Sequence, residues 1–241
     1  MAALSTGGGA MIGAVRDFLS AAPFGVGESI ALAGTSDHFG LLIGSFLLGS
    51  IPFAYLLGRM RGIDLRQLGS GNVGATNLGR NAGFAWGVFA FLLDAAKGAV
   101  PVLAALSLEQ GGPDAESWAV LAGSASVLGH CFSPFLRFRG GKGVATMAGV
   151  VGTLAPPLFG GLFALWAGIA LWRKNIGLAS MAAASTSAIV GIVWLVRPPE
   201  PPRPALAILF LVLSSLVIIR HRSNLRALLA ARKEGRSNEA N

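Results

Sequence analysis

Two short glycine-rich stretches carry the residues best suited to chemistry. The first is Gly69-Ser70-Gly71-Asn72-Val73-Gly74-Ala75-Thr76-Asn77, with Arg80 three residues further on. The second is Arg139-Gly140-Gly141-Lys142-Gly143-Val144-Ala145-Thr146. Glycine frees successive backbone N–H groups to turn toward one ligand, and a helix N-terminus adds partial positive charge. With hydroxyls, amides and a fixed cation beside them, such stretches suit phosphate oxygens. Two in one chain predict a site for phosphate-bearing substrates.

Plainer readings account for less. A tight turn explains the glycines of the first stretch but not Ser70, Asn72, Thr76 and Asn77 together. Gly69-x-Gly71-x-x-Gly74 formally matches a dinucleotide fingerprint, which needs a preceding strand and a βαβ unit. The flanks here are long apolar segments, so a nicotinamide or flavin is not expected. The second stretch is not a Walker A loop. Leu136 stands where its first glycine belongs, and Gly143 replaces the hydroxyl residue that would hold magnesium. What remains is a glycine loop feeding a helix N-terminus, with one lysine and no need of a metal.

Other candidates are weaker alone. Asp94 and Lys97 lie three apart within an apolar segment, where ionisable groups are costly and are paired or functional. Ser180, in Gly177-Leu178-Ala179-Ser180, is a small residue of the kind common at membrane helix contacts. In Arg220-His221-Arg222-Ser223-Asn224, His221 and Asn224 share a helix face. A histidine among arginines should stay neutral, free to hydrogen-bond or polarise a hydroxyl. The alternative is a basic interfacial anchor. Lone Cys131, beside His130, reads as a small packing residue near a helix end.

The elements that must position these residues are membrane helices. The 241 residues are 53% hydrophobic and only 12% charged, about half the charge of a soluble domain, roughly 25%. One cysteine excludes an intrachain disulfide. The net charge of +8 could mean nucleic acid, but the charges flank apolar segments and topology explains them. Apolar segments run over Phe39–Leu57, Phe84–Leu108, Trp118–Leu136, Val144–Trp172, Ile176–Val196 and Ala205–Ile219. The fourth contains Pro156-Pro157, which breaks a helix.

Charge decides what that break means. Arg59, Arg61, Arg66 and Arg80 fill the first loop, and Arg137, Arg139 and Lys142 the third. Arg173-Lys174 follow the broken segment, and a basic run extends from Arg220 to Arg236. The second loop holds Glu109, Asp114 and Glu116 with no Lys or Arg. The positive-inside rule puts every basic stretch in the cytoplasm. The fourth segment must then be a hairpin of two short arms, ~18–22 Å each, against a hydrocarbon core of ~30 Å. The expected fold is all-α, with seven transmembrane helices, N-terminus outside and C-terminus cytoplasmic. Residues 1–37 read as a weakly ordered extension without a signal-peptide pattern, 38–222 as the membrane domain and 223–241 as a basic tail suited to anionic lipid. Both glycine stretches, Ser180 and His221 then converge on one cytoplasmic face.

Beyond this point the chain resembles the acyl-phosphate-dependent glycerol-3-phosphate acyltransferases of bacteria, the PlsY family. The likeness covers roughly Leu41 to Arg236 and rests on long motifs in order. They are Gly49-Ser50-Ile51-Pro52, Gly69 to Asn77, Phe91 to Gly98, Gly129-His130-x-x-Ser133-Pro134 with Phe138 to Thr146, and His221-Arg222-x-Asn224. The resemblance implies a multi-pass bacterial inner-membrane enzyme with a cytoplasmic site, independent of metals, cofactors and acyl-CoA. It implies acyl transfer from acyl phosphate to the 1-hydroxyl of glycerol 3-phosphate, giving lysophosphatidic acid and phosphate. It links the chain to enzymes that make acyl phosphate and that acylate lysophosphatidate. Family roles fall on Ser70, Asn72, Arg80, the Gly140–Gly143 loop with Lys142, Ser180, His221 and Asn224, with Glu234 supporting structure. Ser70, Arg80, Lys142 and His221 are the catalytic candidates; Gly69, Gly71, Asn72, Asn77, Gly140, Gly141, Gly143, Ser180 and Asn224 are the substrate-binding ones. The chain departs from the family in its long N-terminal extension and in Arg139, where many relatives carry lysine.

Two other classes compete. A small-anion or phosphate-ester transporter would share the basic pockets and the Asp94–Lys97 pair, but needs polar groups in both halves of the bilayer and often inverted repeats. The motifs here crowd one face. A scaffold for lipid enzymes would not need Lys142 between glycines.

Overall fold

A computed structural model of the chain describes residues 36–110 and 112–226. Expectations for the N-terminal extension up to residue 35, for Glu234 and for the tail beyond Arg226 lie outside the described residues. Within them all regular structure is helical: α1 (Ser36–Ser50), α2 (Phe53–Met60), α3 (Ala75–Ala82), α4 (Phe84–Leu108), α5 (Ala115–Cys131), a 3-10 turn at Pro134–Leu136, α6 (Val144–Leu154), α7 (Pro156–Arg173), α8 (Ile176–Val196) and α9 (Pro204–Arg220). Helices satisfy their own backbone groups, as a bilayer demands. Four stretches are long and apolar enough to cross it: His38–Met60, Phe84–Leu108, Ala115–Leu136 and Ile176–Val196. Val144–Leu154 and Pro204–Arg220 are shorter apolar helices.

Two proline breaks shape the bundle. The first apolar segment, expected as one helix, divides at Ile51-Pro52 because proline lacks an N–H and clashes with the preceding turn. The carbonyls left at the end of α1 find side chains. Ser133 Oγ donates to Ser50 O at 2.6 Å, and Lys97 Nζ to Ile51 O at 2.7 Å. The fourth segment divides at Ala155, as the proline pair predicts, but into unequal arms of 11 and 18 residues, about 16 and 27 Å long. Arg203 Nη2 caps the short arm by donating to Leu154 O at 2.8 Å, while its Nε meets Glu116 at 2.6 Å.

Small residues let the helices touch backbone to backbone. α1 crosses α5 with Gly49 on the Ser126 backbone and Gly129 on Phe46 O. α4 crosses α6 with Gly98 on Thr146 and Gly149 on Ala95. α8 meets α9 at Gly191 and Ala207. The core between them is apolar, with Val102, Val127, Val150, Leu206, Phe210 and Leu213 all buried. Cys131 is buried in the same core as a free thiol, as a packing role predicts. Ile43, Leu92, Ile189 and Val196 face outward, as lipid-facing side chains do.

Candidate active site

The first glycine loop joins α2 to α3. It opens on an Asp64 carboxylate that accepts from the Arg66 backbone N–H at 3.0 Å and from its guanidinium at 2.9 and 2.6 Å. The Arg66 hydrogen bond holds that carboxyl down at about 2. Asn77, 2% exposed, staples the loop from within. Its Nδ2 donates to Leu65 O, Leu68 O and Asn72 O at 3.1, 3.0 and 2.9 Å, and its Oδ1 accepts from the Ser70 N–H at 3.3 Å. Asn77 therefore uses both ends of its amide to hold the loop in shape. Gly69 and Gly71 take φ of +57° and +69°, which favour glycine. The Gly71 amide is bonded to Leu68 O, and a Cβ on Gly69 would collide with Asn77. These two glycines shape the turn, which presents Ser70 and Asn72 to a polar cavity, while Arg80 reaches it from the last turn of α3.

The second loop links the end of α5 to α6. Two of its glycines, Gly140 and Gly141, do not offer the free amides expected of them. Gly140 N–H donates to Cys131 O and Gly141 N–H to His130 O, each at 3.1 Å. A Cβ on Gly141 would overlap the His130 imidazole, so only glycine lets the loop lie on that ring. Gly143, at φ +86°, turns the chain into α6. The projecting group is Lys142, whose Nζ donates to Asn224 Oδ1. Partial burial, then Arg220 and Arg80, push its ammonium below the usual lysine range.

Ser180 is 4% exposed on α8. Its hydroxyl donates to Ile176 O at 2.9 Å and accepts from Trp166 Nε1 of α7 at 3.2 Å. His221, 3% exposed, follows α9. Its Nδ1 is 2.8 Å from Val217 O. A carbonyl only accepts, so Nδ1 carries the ring proton and Nε2 is an acceptor. The imidazole is held below its usual value first by burial, with Lys142 adding to it and the Val217 bond opposing. The neutrality expected from neighbouring arginines thus comes from burial and Lys142.

These groups line one polar cavity of about 770 Å³. Ser70, Asn72, Asn77, Arg80, Lys142, Gly143, Ser180, His221 and Asn224 reach it, whereas Gly69, Gly71, Gly140 and Gly141 do not. Asp94, a weaker candidate in the sequence, and His130 also line it. Asp94 Oδ1 pairs with Lys97 Nζ at 2.8 Å and stands 3.7 Å from His130 Nδ1. The intramembrane Asp94 was the available signal; nothing in the sequence joined it to His130. Lys97 Nζ also donates to Ile51 O at 2.7 Å, which ties the pair to the break after α1.

A second cavity of about 610 Å³ adjoins the first and is almost wholly apolar. Phe91, Val144, Trp166 and Ser180 line both. Beyond that shared rim, Met147 and Val151 of α6 face Phe159 and Phe163 of α7 and Ala184 and Ser187 of α8. Cations and hydrogen-bonding groups at one end and an apolar groove at the other suit a phosphorylated head with an aliphatic tail.

This layout, inside a helical membrane protein, is that of an enzyme handling phosphorylated amphiphiles. The glycerol-3-phosphate acyltransferase family profile matches residues 39–231. The glycerol-3-phosphate acyltransferase of Aquifex aeolicus is 41% identical over 194 residues, covering 80% of this chain and 96% of its own. That of Trichlorobacter lovleyi is 43% identical over 190 residues, covering 78% and 92%. The crystal structure of PlsY (YgiH), an integral membrane glycerol 3-phosphate acyltransferase, in its glycerol 3-phosphate form superposes with a TM-score of 0.72 at 38% identity, over 82% of this chain and 94% of that one. Its lysophosphatidic acid form gives 0.69 at 36% identity with the same coverage. The chain belongs to the glycerol-3-phosphate acyltransferase family, and it is an acyltransferase.

Proposed function

We propose that this chain transfers a fatty acyl group from acyl phosphate to the 1-hydroxyl of sn-glycerol 3-phosphate, giving lysophosphatidic acid and inorganic phosphate. The observation that carries the reading is the junction of the two cavities at Phe91, Val144, Trp166 and Ser180. It brings Arg80 and Lys142 to the head of a groove fit for an acyl chain.

Acyl phosphate is already activated, so the enzyme's main task is to hold two mutually repelling anions in reacting geometry. Arg80 and Lys142 offset that repulsion and stabilise charge gathering on the leaving phosphate. Ser70, Asn72 and Asn224 orient the phosphates, and Ser180 sits where head meets tail. The glycerol oxygen attacks the acyl carbon, the bond from that carbon to the phosphate oxygen breaks, and the hydroxyl proton passes to a substrate phosphate oxygen. His221 Nε2 accepts a hydrogen bond and serves first as a binding group. No Asp–His–Ser relay is required.

The same reading sets the chain in the bacterial inner membrane, with its site toward the cytoplasm. Seven crossings, by α1–α2, α4, α5, α6, α7, α8 and α9, run from an outer N-terminus to a cytoplasmic C-terminus. The basic loops support that orientation. Residues 38–222 form the catalytic domain, flanked by an extension and a lipid-facing basic tail. Functional partners are the enzymes that supply acyl phosphate and that acylate the product.

The test uses purified enzyme in detergent or vesicles with palmitoyl phosphate and glycerol 3-phosphate, following phosphate release and lysophosphatidate together. Equal, coupled formation of both is expected. Phosphate release without lysophosphatidate, or transport of glycerol 3-phosphate without reaction, overturns the reading.

A further inference from the structure

Arg220 is the last residue of α9 and reads in the sequence as one more interfacial cation. Its side chain is committed elsewhere. Nη2 donates to Gly140 O at 2.7 Å and to Gly141 O at 2.8 Å, and Nε donates to Gly141 O at 3.2 Å. The guanidinium also lies over the Phe132 ring, 5.4 Å from its centroid. Arg137, Arg139 and Arg222 nearby are exposed, while Arg220 is partly buried.

The loop is thus gripped from two sides. Its amides go to the carbonyls ending α5, and its carbonyls go to Arg220. A glycine pair has no side chains with which to hold its own shape, so these bonds decide where the next residue points. That residue is Lys142. Asn224, four residues after Arg220, receives the Lys142 ammonium.

We propose that Arg220 is a positioning residue for Lys142: its planar fork fixes the Gly140 and Gly141 carbonyls and so sets the reach of the ammonium into the polar cavity. Lysine keeps the charge at position 220 but cannot reproduce a fork shared between two carbonyls. The inference rests on the phosphate-binding role of Lys142 proposed above.

The experiment compares Arg220→Lys, Arg220→Ala and Lys142→Ala in purified protein, with melting temperature measured beside kcat and both KM values. For Arg220→Lys, kcat should fall about 10–100-fold with KM changed little, as expected for a misplaced charge, at near wild-type melting temperature. Sub-denaturing guanidinium should restore turnover to Arg220→Ala but not to an Arg220→Ala/Lys142→Ala double variant. Wild-type kcat in Arg220→Lys overturns the proposal, as does a loss that guanidinium fails to restore. Failure of both Arg220 variants to fold also overturns it, because Arg220 would then hold the bundle rather than Lys142. An active Lys142→Ala overturns the phosphate role itself, separately from Arg220.

Discussion

Lys142 and Asn224 stand 82 positions apart in the sequence, yet the ammonium of one donates to the side-chain oxygen of the other inside the polar cavity. The bond ties the second glycine loop to the segment following α9. It also holds a cation ready for an anionic substrate with, among the described residues, no carboxylate in ion-pair contact with it. A carboxylate would neutralise the lysine; a neutral amide orients it and leaves its charge available.

Lys142→Ala should therefore reduce turnover by about 10²–10³-fold, the usual loss on removing a group that stabilises developing negative charge. Coupled phosphate and lysophosphatidate assays check this, with a melting curve showing that the protein is folded. Near-normal turnover would show that Lys142 does not serve the leaving phosphate.

Lys142 also sets an alkaline limit. Its ammonium is held below the ordinary 10.5, so the cation is lost before free lysine would lose it. kcat/KM should decline on the alkaline side starting below that value, and Lys142→Arg should move the limb upward, because arginine stays charged. A pH profile whose alkaline limb is the same in both proteins would refute the assignment.

His221 works on the acid side. Its folded value lies below 6.5, so between the two values the unfolded chain binds more protons than the folded one. Stability is then fully present above 6.5 and is lost as pH falls toward the folded value. Melting temperature against pH should show this slope, and His221→Gln should flatten it. The same variant should keep kcat within about tenfold while raising KM for glycerol 3-phosphate, because loss of an obligatory base costs about 10²–10⁴-fold.

Ala184→Phe tests the apolar groove. Ala184 is buried on α8 and lines that cavity beyond the Trp166–Ser180 rim. A phenyl ring there displaces several chain methylenes, each worth about 0.8 kcal/mol when buried. Activity with palmitoyl phosphate should fall about 10–100-fold, and a short-chain acyl phosphate should be affected much less. Equal losses with both chain lengths would place the tail elsewhere.

The Asp94–Lys97 pair predicts a stability effect. Both residues are 2% exposed and 2.8 Å apart. Lys97→Met leaves a buried carboxylate without its cation, a loss of about 3–5 kcal/mol in comparable buried pairs. Asp94→Asn combined with Lys97→Met should be milder than Lys97→Met alone. Thermal unfolding of the three proteins in one detergent measures the difference.

Much of this protein was legible in its residues taken in order. Long apolar runs dictate membrane helices, because a bilayer leaves the backbone no other partner. The proline pair at 156–157 announces the break at Ala155, since a missing N–H is a local fact. Ser70, Asn72, Arg80, Lys142, Ser180, His221 and Asn224 carry chemistry in their side chains, and all reach the polar cavity. Tertiary structure alone decided how backbone groups are spent. Gly140 and Gly141 look like open anion donors until the end of α5 takes their amides and Arg220 their carbonyls. Asn77 has a side chain that three loop carbonyls hold in place, a bonding pattern its sequence position does not announce. His130 looks incidental until α4 carries Asp94 to within 3.7 Å of its ring. A side chain's type is written in the sequence, but its partner is whatever the helix crossings bring close. Those crossings depend on contacts between distant glycines, such as Gly49 on Ser126 and Gly98 on Thr146, that no local pattern specifies.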